Sequence, residues 1–230
     1  MPSGLTYRFE QCMEAIPYFQ LLSDEQIDLL KNNSSIVEYR KKENIFRQNT
    51  RTSHIMILFR GMAKVYKESR NNRTIILRIA KPDTYLGILS VLGGQVHQYS
   101  ATAIDESTVC FIDLKVFNNL ILGNGKFALK LLGLISLDGL FIFNRLMAQS
   151  HKQLPGRIAD VLIYFADEIY GNNIFTFPLT RRELAELAGT TKESFIRTLT
   201  EFKNDKIINL DGSNVEIVSR EIVNTLSELG

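Results

Sequence analysis

Side chains able to form directional hydrogen bonds are concentrated between residues 180 and 202, in the sequence TRRELAELAGTTKESFIRTLTEF. Lys192 and Arg197 are positively charged donors, and Glu193 is an acceptor. This segment carries the main functional signal of the sequence.

Two short helices are needed to position these side chains. Thr180 with Glu183, and Thr190 with Glu193, match the capping box that begins a helix, so the two helices are predicted to start ten residues apart. Gly189 lies between them, where a tight turn needs a positive φ. The small or apolar residues that can hold the pair together are Leu184, Ala185, Ala188, Phe195 and Leu199. This pattern predicts a helix-turn-helix.

A β-hairpin is predicted directly after these helices. The segment IINLDGSNVEIV (207–218) contains two β-rich runs joined through Asp211-Gly212, a favoured hairpin turn. A hairpin in this place is typical of the wing of a winged helix-turn-helix.

Residues 36–114 consist of short apolar or alternating runs that are separated by turn residues. The runs are IVEYR, NIFRQ, HIMILFRG, AKVYKES, TIILRIA, TYLGILSVLGG, SATAIDE and STVCFID, with turn signals at Asn71-Asn72 and Gly93-Gly94. Evenly spaced strands of this kind predict a β-sandwich or barrel. A short helix is predicted before them within residues 14–33, where Ser23 begins an SDEQ capping box.

Residues 125–149 form the longest apolar stretch and predict a helix that needs cover from more than one side. Its own barrel can supply one cover, and the identical helix of a second copy can supply another. A membrane span is the alternative, since the length is about that of a ~20-residue crossing. Lys130, Asp138, Asn144 and Arg145 interrupt the stretch and count against it, because charge at membrane depth costs a few kcal/mol.

The domain boundary is predicted near residue 150. The polar segment QSHKQLPG (149–156) ends in Pro155-Gly156, which disfavours a continuous helix and indicates a hinge. An amphipathic helix is predicted for 157–170 and ends at Gly171, and Gly123-Asn124-Gly125 is predicted to end an earlier helix. We therefore predict a barrel domain with an N-terminal helix (1–124), a long helix (125–149) and a helical domain (150–230).

The cysteines, the first residues and the charge limit what kind of protein this can be. The two cysteines, Cys12 and Cys110, have no CxxC spacing and are predicted to be small buried or half-buried thiols. The first residues lack the basic and apolar pattern of a secretion signal, so a cytoplasmic protein is expected. The formal net charge of +2 is too small to indicate nucleic-acid binding, and residues 151–230 carry nine cationic against twelve acidic residues. Any contact with DNA must depend on where a few cations lie.

The order of these predicted segments along the chain resembles that of the CRP/FNR family over nearly the whole length. The segments that carry the resemblance are the barrel, the long helix, PGRIADVLIYFA, LTRRELAELAGTTKESFIRTL and the terminal hairpin. The resemblance implies an α+β protein with an N-terminal jelly-roll β-barrel like that of cyclic-nucleotide-binding domains, a long dimerisation helix and a C-terminal winged helix-turn-helix. It also implies a homodimeric, non-enzymatic transcription regulator that binds palindromic double-stranded DNA and contacts RNA polymerase.

Residue roles in DNA binding follow from the same resemblance. The positions that match Lys192, Glu193 and Arg197 face base edges in the family, with its second helix in the major groove. The positions that match Thr180, Arg181, Thr191 and Ser194 hold phosphates. Lys192 stands where the family more often has Arg, which cannot be exchanged for Lys at a bidentate contact without loss. A solvated helix face at residues 181–183 is the alternative interpretation of those charges.

The sensor pocket departs from the pattern of the cyclic-nucleotide binders. Their cassette begins with Gly-Glu and ends with Arg-Ser-Ala, whereas this chain has Gly87-Ile88 and Tyr99-Ser100-Ala101. Without a counter-charge, burial of the cyclic phosphate is costly, so cAMP is not the expected effector. Ile142 and Phe143 match the hydroxyl-bearing positions on the long helix that meet the base in cAMP binders. The expected pocket therefore comprises Gly87, Ile88, Tyr99, Ser100, Ile142 and Phe143 and receives an unidentified small-molecule effector.

Three alternatives stay open at this point. A haem or gas-sensing cofactor could use one of His54, His97 and His151, although a lone histidine is more often an ordinary residue. A protein-interaction module could use the apolar helix as a docking surface. A barrel enzyme would need a cluster of histidine and carboxylate ligands that three scattered histidines do not supply, and the sequence has no Walker, Rossmann, GxSxG or HExxH motif.

Overall fold

The computed structural model describes Phe9, residues 16–69, Asn71 and residues 73–230. Of the helix predicted within residues 14–33, the first two positions lie outside the described residues, and so does Cys12. A 3₁₀ turn at Pro17–Leu21 precedes helix α1, Asp24–Asn32. The predicted capping box is confirmed, because the Ser23 side chain accepts from the Gln26 amide and the Gln26 side chain accepts from the Ser23 amide.

Eight strands follow α1 and form two antiparallel four-stranded sheets, which confirms the predicted β-barrel architecture. One sheet has the order β1-β8-β3-β6 and the other has the order β2-β7-β4-β5. The strands are β1 (Ser34–Tyr39), β2 (Asn44–Phe46), β3 (His54–Arg60), β4 (Ala63–Glu68), β5 (Thr74–Ala80), β6 (Thr84–Leu86), β7 (Ser100–Ala103) and β8 (Ser107–Asp113).

One predicted strand is largely a helix. In the run TYLGILSVLGG only Thr84–Leu86 is extended, and helix α2 occupies Ile88–Gly94. Ile88 and Val91 are buried at helical spacing, while Leu89 and Leu92 are exposed, so the apolar run follows a helical period and not a strand period. The expectation of a turn at Gly93-Gly94 is therefore wrong, since both glycines belong to α2.

The core of the N-terminal part joins the sheets to the helices at its edge. Its buried side chains include Phe19, Ile55, Ile57, Phe117 and Phe127. Helix α3 (Leu114–Gly123) ends where predicted, at the Gly-Asn-Gly segment. Asn124 then fixes the start of the next helix: its Nδ2 donates to the Leu21 carbonyl at 2.8 Å, and its Oδ1 accepts from the Phe127 amide at 3.0 Å.

The long helix α4 runs from Gly125 to His151. By length and composition it is the one helix in the described part of the chain that could cross a membrane, and only 11% of its most apolar window is buried. Phe127 and Leu131 are buried, but most of its large apolar side chains are exposed. They are Leu129, Leu132, Leu137, Leu140, Ile142, Phe143, Leu146 and Met147. In the single chain this helix therefore presents an uncovered apolar face.

Five helical segments and a small sheet follow α4. The segments are α5 (Leu154–Ile163), a π-helical stretch (Tyr164–Tyr170), α6 (Arg181–Ala188), α7 (Lys192–Asn204) and α8 (Arg220–Leu229). Strands β9 (Ile174–Thr176), β10 (Ile208–Asp211) and β11 (Asn214–Ile217) form a sheet in the order β10-β11-β9. The helix predicted for 157–170 is confirmed and begins three residues earlier than predicted.

The break between α4 and α5 lies at Lys152-Gln153, just before the expected Pro-Gly pair. Pro155 belongs to the first turn of α5, where a missing amide hydrogen costs nothing. Gly156 is needed for close packing, because a Cβ there would lie 2.7 Å from the Cα of Gly230. By internal contacts the chain divides within α4, into one compact unit that includes Arg78–Leu140 and residues up to Lys67, and another that comprises Glu68–Leu77 and Phe141–Gly230.

Candidate DNA-binding surface and sensor region

Helices α6 and α7 form the predicted helix-turn-helix. Thr180 caps α6 with the full capping box, in which its side chain accepts from the Glu183 amide and Glu183 accepts from the Thr180 amide at 2.8 Å. The turn passes through Gly189, whose φ of +65° is the left-handed conformation that the sequence required there. The first helix and its turn therefore match the sequence prediction.

The second predicted capping box, Thr190 with Glu193, is wrong. Thr191, and not Thr190, is the N-cap of α7, and its hydroxyl accepts from the Ser194 amide at 3.2 Å. The Thr190 amide instead donates to the Ala185 carbonyl at 2.9 Å and so completes the end of α6. The helix starts are consequently eleven residues apart, at Arg181 and Lys192.

Burial separates two faces of α7. Phe195, Thr198, Leu199 and Phe202 are buried, and Leu184, Ala185 and Ala188 of α6 are buried with them, as the sequence predicted. The opposite face carries Lys192, Glu193 and Arg197, which are exposed together with Ile196. The three predicted base-contacting side chains therefore share one open face near the N-terminal end of α7.

The four predicted phosphate contacts have different surroundings. Thr180 and Thr191 are exposed but already use their hydroxyls in caps, and the Thr191 hydroxyl also donates to Ser194 Oγ at 3.1 Å. Arg181 is half-buried and donates to the carbonyl of Gly212 at the tip of the hairpin. Its guanidinium lies 5.6 Å from the centre of the Phe177 ring, and burial lowers its pKa. Arg181 therefore ties α6 to the hairpin.

The predicted hairpin is β10 and β11, joined at Asp211–Asn214 as expected. It is held on its other edge by β9, where Thr176 faces Asn214 and donates to its side chain at 2.7 Å. The Phe177 amide donates to the Ser213 carbonyl at 2.9 Å. These bonds join the wing to β9, and the bond from Arg181 to Gly212 joins it to α6.

In the N-terminal part, Gly87 lies against the stacked rings of His97 and Phe46. It has a φ of +76°, and a Cβ there would lie 2.9 Å from His97 Cε1. His97 is 2% exposed and stacks on Phe46 with ring centres 4.0 Å apart. Its Nδ1 is enclosed without a hydrogen-bond partner, and burial lowers its pKa. The turn at Gly87 is thus closed on one side by the His97 ring.

The neighbouring predicted pocket residues are also engaged within the fold. Ile88 is 2% exposed, and Ser100 is buried with its hydroxyl accepting from the Gln48 amide at 3.0 Å. Burial raises the pKa of the half-buried Tyr99 to about 12. A hydrogen bond with Ser90 acts in the opposite direction and lowers it. Gly87, Ile88 and Tyr99 therefore lie at α2, and Ser100 begins β7. Ile142 and Phe143 are in the other compact unit and are 40% and 66% exposed.

An ion pair that sequence reasoning missed lies close to Tyr99. Arg78 of β5 pairs with Asp138 of α4, and both charges act on the Tyr99 hydroxyl with opposite signs. The sequence contained a signal, since Arg78 interrupts the apolar run TIILRIA and Asp138 interrupts the apolar helix. Two isolated opposite charges in apolar segments indicate a pair.

The histidines considered as haem ligands are dispersed. His54 contacts Ser53 Oγ through Nδ1 at 3.1 Å, His97 is buried against Phe46, and His151 is exposed at the end of α4. In the described part of the chain, no group of three or more histidine, cysteine or acidic residues is placed to hold a metal ion. Cys110 is a free buried thiol, as expected, and burial raises its pKa to about 12.

Comparison with known proteins gives a family match for both parts of the chain. Residues 36–124 match the cyclic nucleotide-binding domain family, and residues 156–223 match the Crp-like helix-turn-helix domain. The chain is 25% identical over 224 residues to “Probable transcriptional regulator flp” of Lacticaseibacillus casei, covering 91% of this chain and 95% of that protein. It is 24% identical over 207 residues to the CRP-like cAMP-activated global transcriptional regulator of Mycobacterium tuberculosis, covering 88% and 92%.

Solved structures show the same fold. FixK2 from Bradyrhizobium japonicum superposes with a TM-score of 0.77 at 20% identity, over 84% of this chain and 96% of that one. A regulator of the crp/fnr family from Eubacterium rectale gives a TM-score of 0.77 at 18% identity, over 94% and 99%.

A two-sheet domain of the cyclic-nucleotide-binding type, a long helix and a winged helix-turn-helix are the parts of a DNA-binding transcription regulator. The chain belongs to the CRP/FNR family of transcription regulators, with a cyclic-nucleotide-binding domain and a Crp-like helix-turn-helix. This is a family of regulators and not of enzymes.

Proposed function

We propose that the protein binds a palindromic operator as a homodimer, with α7 of each copy in the major groove. The observation that carries the proposal is the single open face of α7 with Lys192, Glu193 and Arg197, opposite a face that is buried against α6. The two cations can donate to guanine, and Glu193 can accept from cytosine. Thr180, Arg181, Thr191 and Ser194 contact phosphates beside them, and Arg181 does so while it anchors the wing.

The homodimer forms through α4. A helix with Leu129, Leu140 and Phe143 exposed by 58–72% leaves a large apolar surface in water, which soluble chains normally cover. A second copy of the same helix offers a matching surface and a two-fold axis. That axis gives the operator its palindromy, with half-site centres about 34–36 Å apart. With the face covered in this way, the protein acts in the cytoplasm and not in a membrane.

The sensor domain receives an effector other than cAMP. Ile88 and Tyr99 stand at the positions where the resemblance to cAMP binders calls for Glu and Arg, and Ile88 is fully buried. A cyclic phosphate at Gly87 would find the neutral His97–Phe46 stack and no counter-charge from these positions. The effector is unidentified, and haem stays a minor alternative. Regulation of transcription then proceeds through contact with RNA polymerase.

The test is DNA selection with the purified dimer, followed by fluorescence anisotropy on the selected operator and on random DNA. Arg197→Ala should weaken operator binding by roughly 5- to 150-fold, equivalent to about 1–3 kcal/mol, and leave random DNA nearly unchanged. Lys203→Ala is the matched control, because Lys203 is an exposed cation in the last turn of α7. Equal loss on both DNAs, or a selection without a palindrome, would contradict the proposal.

A further inference from the structure

A cavity of about 470 Å³ lies inside the C-terminal unit, beside the break between α4 and α5. Its walls come from the last three turns of α4, from α5 and the start of the π-helical stretch, and from the end of α6. All of these residues belong to the same compact unit. The volume is in the range of small-molecule sites, and no step of the proposed DNA binding uses it.

The apolar part of the cavity is built largely from aromatic and aliphatic side chains. Phe141 and Tyr164 lie on one side with ring centres 5.7 Å apart, and Met147, Val161 and Leu187 complete the apolar lining. Val161 and Leu187 are buried in the domain core, so this wall is preformed. A hydrocarbon or aromatic body would be removed from water by entering it.

The polar part of the cavity has an excess of positive charge. Arg145 donates to the Leu187 carbonyl, and Arg157 Nη1 donates to the Gly189 carbonyl at 2.8 Å. Arg157 Nε is enclosed without a hydrogen-bond partner. The pKa of Arg145 is lowered, because burial removes its guanidinium from water. Both guanidinium groups therefore rest on neutral carbonyls.

The one carboxylate among the cavity-lining residues, Asp160, forms its hydrogen bonds with Lys152 and Ser227. Asp160 accepts from Lys152 Nζ at 2.7 Å and also accepts from the Ser227 hydroxyl. Asp160 also acts on Arg145 through its charge. The lining still has three cations, Arg145, Lys152 and Arg157, against this one carboxylate, so it keeps two positive charges in excess. A partly buried excess of positive charge is unfavourable, and an anion in the cavity would relieve it.

We propose that this cavity is a ligand site for an organic carboxylate with an apolar body. The carboxylate binds at Arg157 and Arg145, and the body packs between Phe141, Tyr164 and Val161. Because Arg145 and Arg157 hold the end of α6 and the Gly189 turn, the ligand acts on the groups that set the helix-turn-helix. Only this last consequence, for DNA binding, rests on the proposed function.

The test is calorimetric titration of the purified protein with 4-phenylbutanoate and with the neutral 4-phenylbutanol. The acid should bind at least tenfold more tightly than the alcohol. Arg157→Gln should bring the two to similar affinity, and Arg157→Lys should restore part of the difference. Ala148→Phe should abolish binding of both by filling the cavity, since Ala148 lines it. Unchanged melting temperatures identify variants that remain folded.

Leu132→Gln is the control for adsorption on the open face of α4, where Leu132 is 59% exposed. Equal affinities for acid and alcohol, no effect of Arg157→Gln, or loss of binding in Leu132→Gln but not in Ala148→Phe would overturn the site. Operator anisotropy with and without the acid is measured separately. Probe binding without operator binding would contradict the proposed function alone, and operator binding without probe binding would contradict this site alone.

Discussion

Arg78 of β5 and Asp138 of α4 form an ion pair that joins the sensor sheet to the long helix. Their side chains are only 24% and 32% exposed, so the pair is partly withdrawn from water. Each is a lone charge in an otherwise apolar segment. The pair therefore links the sheet that contains β5 to α4, the helix that leads into the C-terminal unit.

Asp138→Asn should therefore lower the free energy of unfolding by about 1–3 kcal/mol, because it leaves the Arg78 charge partly buried without its partner. Urea unfolding monitored by circular dichroism measures this change. A double-mutant cycle with Arg78→Met isolates the pair energy. Lys130→Gln, an exposed change on the same helix, should stay within about 0.5 kcal/mol. A coupling energy near zero would show that the pair contributes nothing.

Gly87, at the N-cap of α2, and Gly93, inside α2, provide a matched pair of substitutions. Gly87→Ala should destabilise the protein by at least about 1–2 kcal/mol, because its φ of +76° disfavours any side chain. The new Cβ would also lie 2.9 Å from the stacked His97 ring, which has little room to move. Gly93→Ala should instead be neutral or stabilising by about 0.5–1 kcal/mol, since Gly93 is helical and a Cβ there meets nothing within 4 Å. Equal changes in the two unfolding free energies would refute this account.

Much of the fold could be predicted where local rules agree with each other. For α6, the cap at Thr180, the buried Leu184 and the left-handed Gly189 all indicate the same helix. The wing is similar, because Asp211-Gly212 and the flanking β-rich runs both predict a hairpin. These features depend on neighbours in sequence, so a single sequence contains them.

Features that depend on long-range packing could not be predicted in the same way. Thr190 and Thr191 are both capable caps, and the choice was made by the hydrogen bond from the Thr190 amide to Ala185. The run after Gly87 is apolar enough for a strand or a helix, and its burial in the core decides for α2. The cavity of Arg145 and Arg157 forms where the end of α6 packs against α4, α5 and the π-helical stretch, and no local pattern indicates this long-range packing.

The apolar face of α4 leads to a prediction about assembly. Phe143→Glu should shift the dimer towards monomer at micromolar concentration, because it places a charge on the face that we propose to be the interface. Sedimentation velocity measures the molecular mass. Leu122→Glu is the matched control, since Leu122 is 85% exposed but lies in α3, outside the long helix. If both variants remain dimeric, α4 is not the dimerisation surface.

The buried ring of His97 should make folding stability depend on pH. Burial lowers the pKa of His97 below its ordinary value of 6.5, so the folded chain holds the ring neutral where the unfolded chain takes up a proton. The unfolded state then binds more protons, and stability must fall as the solution is acidified. This contribution is complete above about pH 6.5 and is lost as pH drops through the folded pKa. Its slope cannot exceed one proton, or about 1.4 kcal/mol per pH unit.

Urea unfolding at pH 7.5, 6.5 and 5.5 should show this loss in the natural protein and less of it in His97→Phe. The Phe variant keeps an aromatic ring on Phe46 but has no titratable nitrogen. If His97→Phe is poorly folded, His97→Gln gives the same comparison with a smaller, uncharged side chain. The decisive quantity is the slope of the natural protein minus that of the variant between pH 6.5 and 5.5. A difference of zero would mean that His97 takes up its proton as readily in the folded chain as in the unfolded one.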